Sequence, residues 1–166
     1  NLALQHKITC RLQNKASNIF QGILKKDEKV DFVICNPPFH SSRVAAQKGT
    51  QRKLKNLLNQ RSPTPSLNFA GIGPELIYAG GELQFIQNMV KESEQFANNC
   101  LWFSTLVSKE ANLKGVFKFL KKVGPYKIKK IPMGTANKSS RIVVWTFLSK
   151  AAQIAWQQKR WTVKDE

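Results

Sequence analysis

No aspartate or glutamate occurs between Phe32 and Pro74, and none between Ala111 and Lys164. Arg43, Lys48, Arg52, Lys53, Lys55 and Arg61 fall in the first of these stretches, and thirteen lysines and arginines in the second. Positive fields of this length favour a polyanionic partner, because a phosphate backbone releases condensed counterions when it is neutralised. An acidic membrane surface fits less well, since no segment pairs a basic face with a clean apolar one. Long apolar runs are also missing. Stretches such as Phe32–Cys35 and Ile142–Trp145 are strand-sized, which excludes a membrane-spanning helix of roughly 20 residues. Cysteine is scarce as well. Cys10, Cys35 and Cys100 stand far apart in apolar or strand-like surroundings, without the close spacing of zinc sites, and no basic-then-apolar leader opens the sequence. Free thiols in a reducing, cytoplasmic setting are therefore expected, with no metal.

What is present suffices for one ordinary core: 166 residues, 42% of them apolar, with a formal net charge of +17. Lys7–Leu12 alternates like a short strand, and Ala16–Leu24 suits a short helix or turn. Val30–Cys35 is rich in β-branched and aromatic residues and stops at consecutive prolines, which predicts a buried strand with a sharp end. Residues 39–80 predict a long basic loop, with a helical turn or two possible over Arg52–Leu58. Helical spacing runs from Gly81 to Phe96 and again from Asn112 to Lys122, where Gly124-Pro125 ends it. Leu101–Val107 lies between the two as a second buried strand. Tyr126–Met133 and Arg141–Leu148 predict an antiparallel hairpin, followed by a helix over Ala151–Arg160. The order predicts a single α/β domain with a mostly parallel sheet and a C-terminal antiparallel hairpin.

Asn36-Pro37-Pro38-Phe39 sits at the carboxyl end of the first predicted strand, where ligands of such sheets collect. Its residues suit one reaction. The exocyclic amine of adenine is a poor nucleophile because its lone pair is delocalised into the ring. Accepting both amine hydrogens turns that lone pair outward. Asn36 Oδ1 and the Pro37 carbonyl are the two acceptors, the prolines hold the backbone extended, and Phe39 offers a ring face for an extruded base. With a sulfonium methyl as electrophile, neither a metal nor a general base is needed. A strand-terminating turn without chemistry would use the same residues.

The tetrapeptide resembles the catalytic motif of S-adenosylmethionine-dependent amino-methyltransferases. With CNPPFHSS at 35–42, RKLKNL at 52–57, LNFAG at 67–71, GGELQFI at 80–86, WFSTLVSKEANL at 102–113 and KSSRIVVWTF at 138–147, the chain from Lys7 to Leu148 resembles the bacterial ribosomal RNA large subunit methyltransferase F family. It is similar also to the eukaryotic methyltransferase-like 16 proteins. The resemblance implies a Rossmann-like methyltransferase fold, S-adenosyl-L-methionine as cofactor, and N6 methylation of one adenine in 23S ribosomal RNA or a large-subunit precursor. It implies a catalytic role for Asn36, Pro37, Pro38 and Phe39, with Asn36 also at the cofactor, and it places Ser17 and Asn18 beside the cofactor's adenine, although a capped helix start explains that pair equally well. Lys138 and Arg141 join Arg43, Lys48, Arg52, Lys53 and Lys55 as RNA contacts. For Glu82, a helix cap is favoured over a ligand role, and His40 is given none.

The Gly-rich turn and second-strand acid that hold the cofactor in this fold do not precede Asn36 here, and Gly71-Ile72-Gly73-Pro74 has the wrong spacing to replace them. Residues 1–166 are therefore expected to be the carboxyl-terminal portion of one methyltransferase domain, lacking the first strands, inactive alone, and prone to self-association through an exposed sheet edge. Two other readings stay open: methylation of protein glutamine or DNA adenine, which present a similar planar amine, and RNA binding without catalysis.

Overall fold

A computed structural model describes residues 6–42, 44, 76–135 and 138–161, with the backbone alone at 135, 138 and 139. In chain order the elements are β1 (Val30–Cys35), α1 (Gly81–Ser93) running into a short 3-10 turn (Glu94–Phe96), β2 (Cys100–Val107), α2 (Glu110–Val123), β3 (Lys127–Thr135), β4 (Lys138–Thr146) and α3 (Lys150–Trp161). β1 is the six residues expected, and the other strands and helices fall within a few residues of their expected bounds.

The sheet is mixed, in the order β1-β2-β4-β3. β1 and β2 are parallel, with Val33 opposite Phe103 and Cys35 opposite Thr105. β4 then pairs antiparallel with β2 on one side and with β3 on the other. Among the described strands only one pairing of three is parallel, so the expected mostly parallel sheet is corrected to a mixed one. The hairpin's second strand is the more apolar, and it inserts beside β2 while β3 takes the edge. β3 suits an edge: it carries Pro132, which lacks an N–H, and the exposed Lys127, Lys129 and Lys130.

One face of the sheet carries α1 and α2. Ile86, Met89 and Val90 of α1 and Leu113, Val116 and Leu120 of α2 are buried on Phe103, Val107, Val143 and Trp145 of the strands. Burying each such side chain is worth about 1.5–3 kcal/mol. The two helices approach closely at Gly115, where a Cβ would stand 3.1 Å from Leu83 Cδ1. Phe103 and Trp145 stack at 5.8 Å, and Phe20 meets Phe103 edge-on at 5.4 Å. Gly124, at φ 75°, stops α2 by donating its N–H to the Leu120 carbonyl.

The other face is partly open. Phe32 and Ile34 are exposed on β1, and with Trp102, Ser104, Lys129, Ile131, Ile142 and Val144 they line a groove of about 380 Å³. α3 clasps the β1 end of this face. The Trp156 indole and Arg160 Nε both donate to Asp31 Oδ1, at 2.6 and 2.8 Å, and Phe32 stacks on Trp161. No helix among the described residues is long and apolar enough to cross a membrane.

Three further sequence expectations change. β1, expected to be buried, has no buried residue, because α3 covers only one end of the open face and leaves Phe32 and Ile34 exposed. Lys7–Leu12 forms no strand among the described residues. Leu12 is exposed, and Arg11 instead bonds the Ile23 carbonyl and Glu28, which fastens the segment to the turn before β1. Cys10 is exposed rather than set in apolar surroundings.

Two predictions follow from the packing. The buried Trp145 Nε1–H donates to Ser93 Oγ at 3.0 Å. Ser93→Ala leaves it unpaired and lowers stability by about 1–3 kcal/mol in urea titration; a loss under about 0.5 kcal/mol would contradict this. The Arg160 guanidinium holds the Asp31 carboxyl below its ordinary value, against a partial desolvation, and the tryptophan donors add to the effect. A carboxyl depressed in the folded state stabilises above the ordinary value of 3.8, and its contribution fades as pH falls through the folded value. Protection of the α3 amides, taken relative to their intrinsic exchange rate, therefore falls in acid before the core opens, and Asp31→Asn lowers it already at neutral pH. Unchanged protection in that variant would contradict the clasp.

Candidate active site at the carboxyl edge of the sheet

The ends of five elements converge on one edge. β1 and β2 finish there, α1 and α2 start there, and the antiparallel direction of β4 brings its first residues back beside the last of β2, with Val107 opposite Arg141. Asn36 directly follows β1. Its side chain is exposed, and its amide has no hydrogen-bond partner among the described residues. Pro37 is buried, which anchors the turn by its ring, while Pro38 and Phe39 are half-buried. The structure brings all four residues of the tetrapeptide to this edge.

The far end of the motif is held by main-chain bonds. His40 N–H donates to the Leu76 carbonyl at 3.1 Å, and Tyr78 N–H donates to the His40 carbonyl at 2.9 Å, a parallel bridge between His40 and Ile77. His40, given no role from sequence, thus closes the mouth of the long loop through its backbone. Tyr78 in turn accepts from Gly81 N–H, takes Asn88 Nδ2–H on its hydroxyl at 2.6 Å, and meets Phe85 edge-on. Gly80 enters α1 at φ 85°, and a Cβ there would stand 2.6 Å from Gln84 Cβ, so only glycine makes this entry.

Glu82 differs most from its sequence reading. It does not cap its own helix. Its buried carboxylate accepts from Ser108 N–H at 2.7 Å, Lys109 N–H at 3.3 Å, Asn112 Nδ2 at 2.5 Å and the Ser108 hydroxyl. It therefore caps α2, whose own N-cap residue Lys109 makes no side-chain cap. One carboxylate joins the start of α1 to the β2–α2 turn beside Asn36. The sequence signal was weak: an acid in a first turn is explained by the helix dipole, and only burial reveals the second helix.

Ser17 and Asn18, expected beside the cofactor's adenine, lie away from Asn36. They line a small polar pocket with Gln21, Asn88, Lys91, Glu92 and Gln95 against the last turns of α1. Ser41 touches the first turn, at Gly81. At 1.5 Å per residue, the two ends lie roughly 16 Å apart. The cause is Glu92, whose carboxylate accepts the N–H groups of Ile19, Phe20 and Gln21 and moors that segment at the opposite edge.

Arg141, expected as an RNA contact, is buried and ion-paired to Glu110. Arg43, Lys48, Arg52, Lys53 and Lys55 lie outside the described residues, as does the Lys138 side chain, and so do the expected turns over Arg52–Leu58. Cys35 precedes the motif, but burial pushes its thiol up, partly offset by the Thr105 hydroxyl, which disfavours a thiolate nucleophile. No group of three His, Cys, Asp or Glu that could hold a metal occurs among the described residues.

Glu82→Ala is expected to cost roughly 2–4 kcal/mol in urea unfolding, because several partly buried donors lose their shared acceptor together. A change within about 0.5 kcal/mol would show that the junction does not depend on it.

The profile of a family described as RNA methyltransferase matches residues 1–149. Ribosomal RNA large subunit methyltransferase F of Cytophaga hutchinsonii is 47% identical over 161 residues, 97% of this chain and 50% of that protein. The chain spans about half the length of the curated relatives it matches. Among solved structures, the hMettl16 catalytic domain in complex with the MAT2A 3′UTR hairpin 1 matches with a TM-score of 0.57 and 25% identity, covering 76% of this chain and 42% of that one. The N-terminal domain of human METTL16 in complex with SAH shares the fold, with a TM-score of 0.52 and 19% identity over 80% of this chain and 39% of that one.

Proposed function

From the premise that the chain belongs to this family of RNA methyltransferases, we propose that the whole protein transfers a methyl group from S-adenosyl-L-methionine to the N6 amine of an adenine in 23S ribosomal RNA or its precursor, and that this chain carries the residues that grip the amine. The observation behind this reading is the exposed Asn36 amide, free of partners among the described residues, at the carboxyl end of a parallel strand.

When bound, the cofactor supplies an electrophilic methyl. This chain's residues do the rest. Asn36 Oδ1 and the Pro37 carbonyl accept the two amine hydrogens, which withdraws the nitrogen lone pair from the ring and points it at the methyl. Phe39 stacks on the extruded base, a contact worth roughly 1–3 kcal/mol by analogy with single-strand binding. The methylated amine is strongly acidic and loses its proton unaided, so no side chain need act as a base. Among the described residues no strand runs through a Gly-rich turn into a helix, so the share assigned to this chain is the amine end and not the cofactor's cradle. The open groove over Phe32 and Ile34 is the surface through which the chain alone self-associates.

The same two acceptors fit the amine of a DNA adenine or a protein glutamine. The acid-free basic stretches disfavour a protein glutamine, and the names of the relatives favour RNA over DNA. In the full-length enzyme, Asn36→Ala lowers methyl transfer to RNA by at least about a hundredfold and leaves RNA affinity within about twofold. Neutralising Arg52, Lys53 and Lys55 together does the reverse, weakening RNA binding and flattening its salt dependence. Labelled methyl appearing in DNA or protein instead of RNA, or full turnover by the Asn36 variant, would overturn the proposal.

A further inference from the structure

Among the described residues, Arg141 is the one buried cation at this edge, and the methyl-transfer chemistry does not use it. It lies between Val107 of β2 and Pro132 of β3, and it is only 8% exposed. Its Nη2 pairs with the Glu110 carboxylate, whereas Nη1 is buried and has no hydrogen-bond partner. A buried guanidinium N–H without an acceptor is unusual, because the group has been dehydrated without compensation. The pair is also lopsided: the Glu110 side chain is 73% exposed while that of Arg141 is 10% exposed. The carboxylate can return to water at little cost, and the guanidinium cannot follow it. Glu110 thus holds a fixed cation that has capacity for a second oxygen.

Its position suits a nucleic-acid backbone. Cys35 lies opposite Thr105, and Val107 opposite Arg141, so Asn36 and Arg141 stand two strand spacings apart, roughly 10 Å. That is within reach of a phosphate flanking an adenine held at Asn36. Glu110 is also the last acid before the stretch from Ala111 to Lys164 that has none, so displacing it leaves this flank of the edge without a nearby negative charge in sequence.

We propose that Arg141 is a phosphate-binding site for the RNA strand, occupied in the free protein by the Glu110 carboxylate. A backbone phosphodiester displaces Glu110, presents two oxygens to the planar fork and satisfies both Nη1 and Nη2. Glu110 moves into solvent. Arginine suits this role better than lysine because its donors are set in a plane that matches two oxygens of one phosphate. The proposal rests on the RNA reading given above and adds a particular residue, the phosphate it takes and the acid that competes for it.

The test is RNA binding by the chain, measured by fluorescence anisotropy with a labelled adenine-containing single-stranded oligonucleotide across a salt series. Glu110→Gln should tighten binding by about 3–10-fold at low salt and steepen the slope of log affinity against log salt by about one. Glu94→Gln removes an equal charge from the exposed 3-10 turn at the opposite edge and should change affinity by less than about twofold. Arg141→Gln placed on Glu110→Gln should abolish the gain. If that double variant does not fold, Arg141→Lys in its place keeps the charge, loses the fork and should still lose most of the gain. A Glu110→Gln effect no larger than that of Glu94→Gln, or a gain that survives loss of the arginine, would overturn the site while leaving the RNA reading intact. Absence of salt-dependent RNA binding in every variant would overturn both.

Discussion

Once β1 pairs in parallel with β2, its backbone cannot continue as a ladder past Cys35, because Pro37 and Pro38 have no N–H to offer. The chain must leave the sheet at Asn36, and it leaves with one side-chain amide and one main-chain carbonyl free of the strand's own bonding. Everything else at this edge keeps that exit in one shape. The buried Pro37 ring holds it from below, the His40–Ile77 bridge holds it from behind, and Glu82 fixes the neighbouring β2–α2 turn. The chemistry asked of the site is modest: two acceptors and a stacking surface, held still. Rigidity is what the fold contributes.

Much of this was legible in the sequence, for identifiable reasons. The boundary of β1 was readable because consecutive prolines after a β-branched run allow one interpretation. The end of α2 was readable because Gly124 and Pro125 stop a helix by their backbone chemistry. Local signals of this kind need no knowledge of distant contacts. The place of the tetrapeptide at the carboxyl end of a strand was legible for the same reason.

The parts that were not legible depend on distant contacts. Lys7–Leu12 alternates like a strand, but alternation says nothing about whether a partner strand is available. The order of the last two strands could not be read from their succession, and it is this order that puts Arg141 beside Val107. The place of Ser17 and Asn18 could not be read either, because Glu92, more than seventy residues away, draws their segment to the last turns of α1. Glu82 was taken for an ordinary first-turn acid, although it serves a helix twenty-eight residues further on. In each case a carboxylate or a strand is used by a part of the chain that sequence spacing does not indicate.

The central claim is that Asn36 Oδ1 and the Pro37 carbonyl together hold the amine of the target base. It is tested most directly by a structure of the full-length enzyme with its RNA substrate and a non-reactive cofactor analogue. The account predicts the amine nitrogen of one extruded adenine about 2.7–3.2 Å from both oxygens, with the Phe39 ring against the base. An adenine bound elsewhere, or an Asn36 amide turned onto the protein's own backbone in that complex, would contradict it.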